Sequence, residues 1–106
     1  MQSIIQADRT YCFICGRNGN GDPLEEHHIF FGNPNRQHSE EDGLKVLLCG
    51  ERCHRTGKWS AHQCDDTNRY LKREAQNVWE LEKRKKGMTP EKARQAFRDR
   101  YGKSEL

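Results

Sequence analysis

The chain has few apolar residues and no long apolar run. Only 32% of its 106 residues are hydrophobic, whereas 33% are charged, and the mean hydropathy is −1.18. A short chain this polar cannot build a large core, because small domains already bury a low share of their surface. We therefore expect one domain, or one domain with a helical extension, and a structural metal as its cross-link.

The sequence also lacks a targeting or spanning segment. No stretch has the apolar centre of a signal peptide, and none approaches the length of a membrane span. We therefore expect a cytoplasmic protein without a membrane partner. In that setting five cysteines indicate metal binding or redox chemistry rather than a disulfide framework. A thioredoxin-like role for Cys12 and Cys15 would need a βαβ unit, which the sequence does not show.

Charge is distributed unevenly along the chain. Residues 1–66 contain 7 Lys/Arg and 10 Asp/Glu, a net charge of −3. Residues 67–106 contain 12 Lys/Arg and 6 Asp/Glu, a net charge of +6. An acidic half that is rich in metal ligands, joined to a basic half, is typical of an enzyme that acts on a polyanion. The alternative for the basic half is a solvated helical face.

The pattern of apolar and turn residues predicts five segments. Residues 24–31 are expected to form a strand, 32–43 a polar loop, and 44–48 a short buried strand. A long helix is expected from Asp65, Asp66 or Thr67 to about Lys86, and a second helix from Thr89 to Tyr101. The apolar stripe of the long helix is expected to comprise Leu71, Ala75, Val78 and Leu81, with Trp79 beside it.

The cysteines are spaced as two pairs that can share one ion. Cys12 and Cys15 have the usual two-residue gap, and Cys49 and Cys53 have a gap of three. Four thiolates in a closed tetrahedron would hold a structural zinc. Cys64 is left over, either as a free thiol or as a replacement for Cys53.

The histidines suggest a second, separate site. Neighbouring residues of a strand face opposite sides, so His27 and His28 are expected to do different jobs. His27, His54 and His62 are candidate ligands for a transition metal. A straight helix would place His62 about 12 Å from His54. It reaches the same ion only if the chain turns back around Gly57.

The motifs CFIC, EEHHI and GLKVLLCGERCH resemble the HNH endonucleases of the ββα-metal superfamily, and in particular small zinc-knuckle HNH proteins of phages and prophages. The resemblance spans residues 12–62 and implies an α+β fold. A small ββα-metal (His-Me finger) core with a zinc knuckle would occupy residues 1–66, and a basic helical extension residues 67–106.

The resemblance also implies the roles of the histidines. His27 and His54 would ligate the catalytic ion, with His62 as a further ligand, and His28 would be the general base in phosphodiester hydrolysis. The ion would be Mg²⁺, Mn²⁺, Ni²⁺ or Zn²⁺. The family's middle asparagine, which braces the loop carrying the base, is replaced here by Asp42. Either Asp42 substitutes for it, or Asn33 or Asn35 does, or the site is weakened.

Three functions follow from these patterns. The first is a DNA endonuclease, and the second is a non-catalytic zinc-knuckle module that binds nucleic acid. The third is a phage packaging or recombination factor whose tail helices bind a protein. The first two need phosphate contacts from the basic tail, for which the candidates are Arg69, Lys72, Arg73, Lys83, Arg84, Lys85 and Lys86.

Overall fold

Two short antiparallel strands carry the paired histidines and the third cysteine. The computed structural model describes all 106 residues, and its strands are β1 (Leu24–His28) and β2 (Lys45–Cys49). Leu24 pairs with Cys49 at one end of the hairpin and His28 with Lys45 at the other. The predicted first strand therefore ends three residues early. The second strand is buried along most of its length, as its apolar sequence predicts.

The segment that connects the strands contains a helix, which corrects the predicted loop over 32–43. Helix α1 spans Asn35–Asp42 and ends at Gly43, whose φ is +75°. A side chain at Gly43 would meet the backbone oxygen of Gln2 at 2.3 Å, so glycine is required there. Helix α1 has no apolar stripe, because its one buried residue is Ser39. This is why hydrophobic periodicity did not reveal the helix.

A π-helical turn, Gly50–Arg55, follows β2 directly. The carboxylate of Asp22 caps it by accepting hydrogen bonds from the backbone N–H groups of Glu51 and Arg52, at 2.8 and 3.0 Å. These are donors that the start of a helix leaves without partners. Residues 56–64 then run without regular structure, so no straight helix separates His62 from His54.

The two predicted tail helices are present as α2 (Asp65–Lys85) and α3 (Pro90–Tyr101). Thr89 caps α3 by accepting a hydrogen bond from the N–H of Lys92. The buried stripe of α2 differs from the predicted one. It includes Trp79, whereas Leu81 is exposed. Trp79 is buried because α3 packs on that side of α2. The ring centroids of Trp79 and Phe97 are 5.2 Å apart.

One hydrophobic cluster contains residues from the hairpin and from both tail helices. Phe30, which follows β1, lies 5.3 Å from Phe97 and 4.8 Å from Tyr101 between ring centroids. The protein is therefore a compact α+β fold with a two-stranded antiparallel sheet and three α-helices. None of these helices is long and apolar enough to cross a membrane.

Candidate metal centres

Four cysteines meet where the N-terminal knuckle (residues 12–16) lies against the end of β2. The sulfur atoms of Cys12, Cys15, Cys49 and Cys53 all lie within 4.8 Å of one another, and those of Cys15 and Cys49 are 3.5 Å apart. Tetrahedral zinc with Zn–S bonds of about 2.3 Å separates its sulfurs by about 3.8 Å. This cluster can therefore hold a structural metal such as zinc, and it contains Cys53 despite the gap of three.

The backbone of the knuckle supports this arrangement. Gly16 has a φ of +80° and donates its N–H to the carbonyl of Cys12, while the N–H of Cys15 points at the sulfur of Cys12 at 3.5 Å. The knuckle is joined to the sheet by a hydrogen bond from the N–H of Phe13 to the carbonyl of Leu47. The first cysteine pair is thus fixed against the second by a backbone hydrogen bond to β2.

The thiol of Cys15 does not ionise like those of Cys49 and Cys53. Burial and the hydrogen bond with Cys15 raise the pKa of Cys49 to about 11, and burial also raises the pKa of Cys53. Burial acts in the same direction on Cys15, but hydrogen bonds from Arg17 and the neighbouring thiols outweigh it and lower its pKa to about 6. A metal that binds here must displace protons from the buried thiols, so its affinity rises with pH.

Cys64 takes no part in the cluster. It lies at the N-terminal end of α2 and contacts Thr67 rather than the other sulfurs. Of the two possibilities that the sequence left open, the free thiol is the one found.

Three histidines from separate segments form a second cluster. One ring nitrogen from each of His27, His54 and His62 lies within 4.8 Å of the others. The ring centroids are 5.0 Å apart for His27 and His54, 5.2 Å for His27 and His62, and 4.9 Å for His54 and His62. The three histidines that the sequence suggests as ligands therefore lie together in the structure.

His62 reaches the cluster because the chain turns back at Gly57. The N–H of Ala61 donates to the carbonyl of Cys53, and the N–H of His62 donates to that of His54. A side chain at Gly57 would lie 2.1 Å from the backbone oxygen of Arg52. The predicted turn around Gly57 therefore exists, and it depends on close backbone approach.

His27 is prepared to act as a ligand. It is 2% exposed, and its buried Nε2 has no hydrogen-bond partner. Burial, followed by the charges of His54 and His62, lowers its pKa to about 3, so the imidazole is neutral at physiological pH. A buried polar atom without a partner costs about 1–3 kcal/mol. An ion bonded to that nitrogen would remove this cost, and the donor set suits zinc or another transition metal.

A carboxylate orients the second ligand. Glu25, on the same face of β1 as His27, places its Oε1 2.9 Å from Nδ1 of His54. Because a carboxylate accepts hydrogen bonds, it favours the tautomer of His54 with the proton on Nδ1. Nε2 is then free for an ion, as in the carboxylate–histidine–metal arrangement. The sequence did not single out Glu25, although its position two residues before His27 on a strand places both on one face.

His28 faces the opposite side of β1, as strand alternation predicts. Its Nε2 lies 2.8 Å from Oε1 of Glu40, and its side chain is 9% exposed. The ammonium of Lys45 also contacts Glu40, and it lies 3.5 Å from Glu26. Hydrogen bonds from Lys45 first, and then from His28, hold the pKa of Glu40 far below its usual range. The negative charges around His28 are thus already paired with Lys45.

Asp42, Asn33 and Asn35 were the candidates for bracing the loop. Asp42 instead joins three helices, because its carboxylate accepts hydrogen bonds from Trp79, Arg100 and Tyr101. The side chain of Asn35 donates to the backbone oxygen of Tyr101. Neither holds the end of β1.

The end of β1 is held by Ser39, which is buried. Its Oγ donates a hydrogen bond to the carbonyl of Phe30 at 2.7 Å and accepts one from the N–H of Phe30 at 3.1 Å. Sequence reasoning missed Ser39, because a lone serine in a polar stretch carries no distinctive signal.

The seven basic candidates of the tail form two groups on α2. Arg69, Lys72 and Arg73 lie on its N-terminal half, and the group from Lys83 to Lys86 lies at its C-terminal end. At 1.5 Å per residue the groups are about 15–20 Å apart. Only Lys72 extends toward the histidines, with its Nζ 5.3 Å from the ring centroid of Phe31.

The two clusters share one structural element. Cys53 and His54 are consecutive residues of the π-helical turn, and one belongs to each cluster.

Comparisons of this chain with protein-family models, with curated proteins and with solved structures find no match.

Proposed function

We propose that the protein is a metal-dependent endonuclease of the HNH type, which hydrolyses phosphodiester bonds of DNA. The observation that carries the proposal is the buried Nε2 of His27, which has no hydrogen-bond partner and faces two further imidazoles. A structural core does not need three histidines converging on one point. A divalent ion does need such ligands, and when bound it would polarise a phosphoryl oxygen and stabilise the leaving oxygen.

In this proposal β1, β2 and the π-helical turn form a ββα-metal core. The hairpin supplies His27, the turn supplies His54, and the returning segment supplies His62. The cysteine cluster holds a structural zinc beside them, which fixes the turn that carries His54. The division of labour follows from the number of ligands, because four thiolates would complete the tetrahedron of one site, whereas three imidazoles would leave one position of the other open to substrate.

His28 would act as the general base. Glu40, held in its ionised form, accepts a hydrogen bond from the Nε2–H of His28, and Nδ1 makes no hydrogen bond within the protein. Nδ1 then carries the lone pair that can take a proton from water. As the water oxygen bonds to phosphorus and the bond to the leaving oxygen breaks, that proton passes to His28.

DNA is the proposed partner because the tail is basic. The groups around Arg69 and Lys83 can contact phosphates at two places along one strand or duplex, independently of sequence. Such binding weakens steeply with salt, since each neutralised phosphate releases a counterion. Affinity that stays flat between low and moderate salt would instead indicate that the tail packs on a protein.

The test is cleavage of plasmid, linear duplex and single-stranded DNA by zinc-loaded protein, with Mg²⁺, Mn²⁺, Ni²⁺ or Zn²⁺ added in turn. Wild type should nick or cut with at least one ion. His28→Ala should lower the rate by about 10²–10⁴, the usual contribution of a positioned base, and should leave DNA affinity unchanged. His27→Ala should lose activity because the ion is bound weakly.

A matched control is His38→Ala, which changes a histidine outside both clusters. DNA binding without cleavage by wild type under any ion would contradict the nuclease and support a binding module. Cleavage by His28→Ala at the wild-type rate would remove His28 from the mechanism while leaving the ion site in place.

A further inference from the structure

An exposed aromatic ring lies at the edge of the histidine cluster. Phe31 is 43% exposed, and its ring centroid is 5.3 Å from that of His62 and 6.1 Å from that of His27. The ring is tilted by 59° and 54° against these imidazoles, so it stacks on neither. The preceding Phe30 is buried in the core. A single exposed phenyl ring is ordinary. Phe31 differs in that it adjoins the histidine cluster.

A lysine from α2 reaches the same place. The Nζ of Lys72 lies 5.3 Å from the ring centroid of Phe31 and 5.9 Å from that of Phe30. The same ring of Phe31 lies beside the imidazoles of His62 and His27. An ammonium group and an aromatic face thus adjoin the three imidazoles.

A polar groove continues from Lys72 along α2. It has a volume of about 150 Å³ and is lined by three cationic side chains, Arg69, Lys72 and Lys103, with Asn68, Asp65 and Glu105. Glu105 lies 4.0 Å from the Nζ of Lys72 and 3.8 Å from that of Lys103, so the charges of these two lysines are partly balanced within the groove. The groove can therefore present Arg69 and Lys72 to one phosphate beside the aromatic ring.

We propose that Phe31 and Lys72 form a subsite for an unpaired nucleotide next to the histidine cluster, with the base on the ring of Phe31 and a phosphate on Lys72. This deepens the proposed function and rests on it. A base inside a duplex is covered on both faces by its neighbours, so a phenyl ring can reach a base face only when the base leaves the stack. The substrate class is therefore single-stranded DNA, or a strand with an unpaired base at the cut.

The subsite is tested by binding, without added divalent ions, to single-stranded DNA and to a duplex of the same sequence. The single-stranded probe carries 2-aminopurine, whose fluorescence falls on stacking. Wild type should bind the single strand more tightly and quench it. Phe31→Ala should weaken single-strand binding about 5- to 30-fold, within the range for one base stacked on an aromatic ring, and leave duplex binding unchanged.

Two further variants distinguish loss of the aromatic ring from loss of the folded structure. Phe31→Leu keeps apolar volume without a ring and should lose the quenching, whereas Phe31→Trp should retain it. The matched control is Tyr70→Ala, because Tyr70 is 50% exposed on α2 but adjoins Phe13 and Ile14 of the knuckle rather than the histidines. It should bind as wild type does.

Equal affinity for single strand and duplex, or full quenching by Phe31→Leu, would overturn the subsite. This failure is distinguishable from that of the proposed function. Cleavage of duplex DNA by wild type, with no effect of Phe31→Ala, would preserve the nuclease and remove the subsite. Tighter binding and quenching of the single strand, without cleavage of any DNA, would preserve the subsite and remove the nuclease.

Discussion

The carboxylate of Glu25 lies 2.9 Å from Nδ1 of His54, which leaves Nε2 of that imidazole available to an ion. This contact links the first strand to the π-helical turn across the candidate ion site. It determines which nitrogen of His54 faces His27 and His62, so Glu25 prepares the site without belonging to it.

Replacing Glu25 by alanine should weaken ion binding at the histidine cluster by about 10- to 100-fold, the usual effect of losing such a partner. The zinc of the cysteine cluster should be retained. Isothermal titration with Ni²⁺ or Mn²⁺ measures the change. Glu51→Ala is the matched control, since Glu51 also pairs with Arg55 but contacts no histidine. Equal loss in both variants would show that Arg55, rather than the tautomer of His54, matters.

Removing the cysteine cluster should unfold the N-terminal half. Cys12→Ser and Cys49→Ser should each lose zinc, because the binding free energy of such a site is folding free energy. Metal analysis and circular dichroism measure the two effects. Cys64→Ser should keep both zinc and fold, since Cys64 lies outside the cluster. A protein that contains no zinc as purified and stays folded in strong chelator would contradict this assignment.

The turn at Gly57 should not tolerate a side chain. The Cβ of alanine would lie 2.1 Å from the backbone oxygen of Arg52, so the turn must open. We expect Gly57→Ala to cost about 1–3 kcal/mol of stability and to weaken ion binding by displacing His62. Urea unfolding and metal titration measure both. Lys58→Ala, next in the chain and exposed, should change neither, and an unaffected Gly57→Ala would show that the turn can relax.

Stability without an ion at the histidine cluster should fall as the solution becomes more acidic. Burial lowers the pKa of His27 to about 3, whereas an unfolded histidine titrates near about 6.5. Between these values the unfolded chain binds more protons, so acid favours unfolding. The contribution of His27 should decrease by about 1 kcal/mol from pH 6.5 to 5.5.

Urea unfolding of protein that carries zinc at the cysteine cluster alone, one equivalent by metal analysis, measures the slope across this range. His27→Leu should show a flatter dependence, because it removes the group that takes up the proton. A slope identical to that of wild type would mean that another group controls the acid sensitivity.

Much of the fold was readable because the chain marks its elements locally. Asp65 and Asp66 at the start of α2, and Thr89-Pro90 at the start of α3, place both helices closely. The cysteine spacing and the alternation of His27 and His28 predicted which side chains meet and which face apart.

What escaped prediction depends on tertiary contacts. Helix α1 buries a serine rather than an apolar stripe, so periodicity could not reveal it. Trp79 lies inside only because α3 packs beside it. The partnerships of Glu25 with His54 and of Glu40 with His28 join residues that are 29 and 12 positions apart. No local pattern encodes such distances.

The placement of Cys53 and His54 on one π-helical turn has a thermodynamic consequence. Ordering that turn costs conformational entropy, and whichever ion binds first bears this cost for both. We therefore expect positive cooperativity between the two ions. Because linkage is reciprocal, occupancy of the histidine cluster must tighten zinc binding at the cysteine cluster by the same free energy with which zinc tightens ion binding at the histidine cluster.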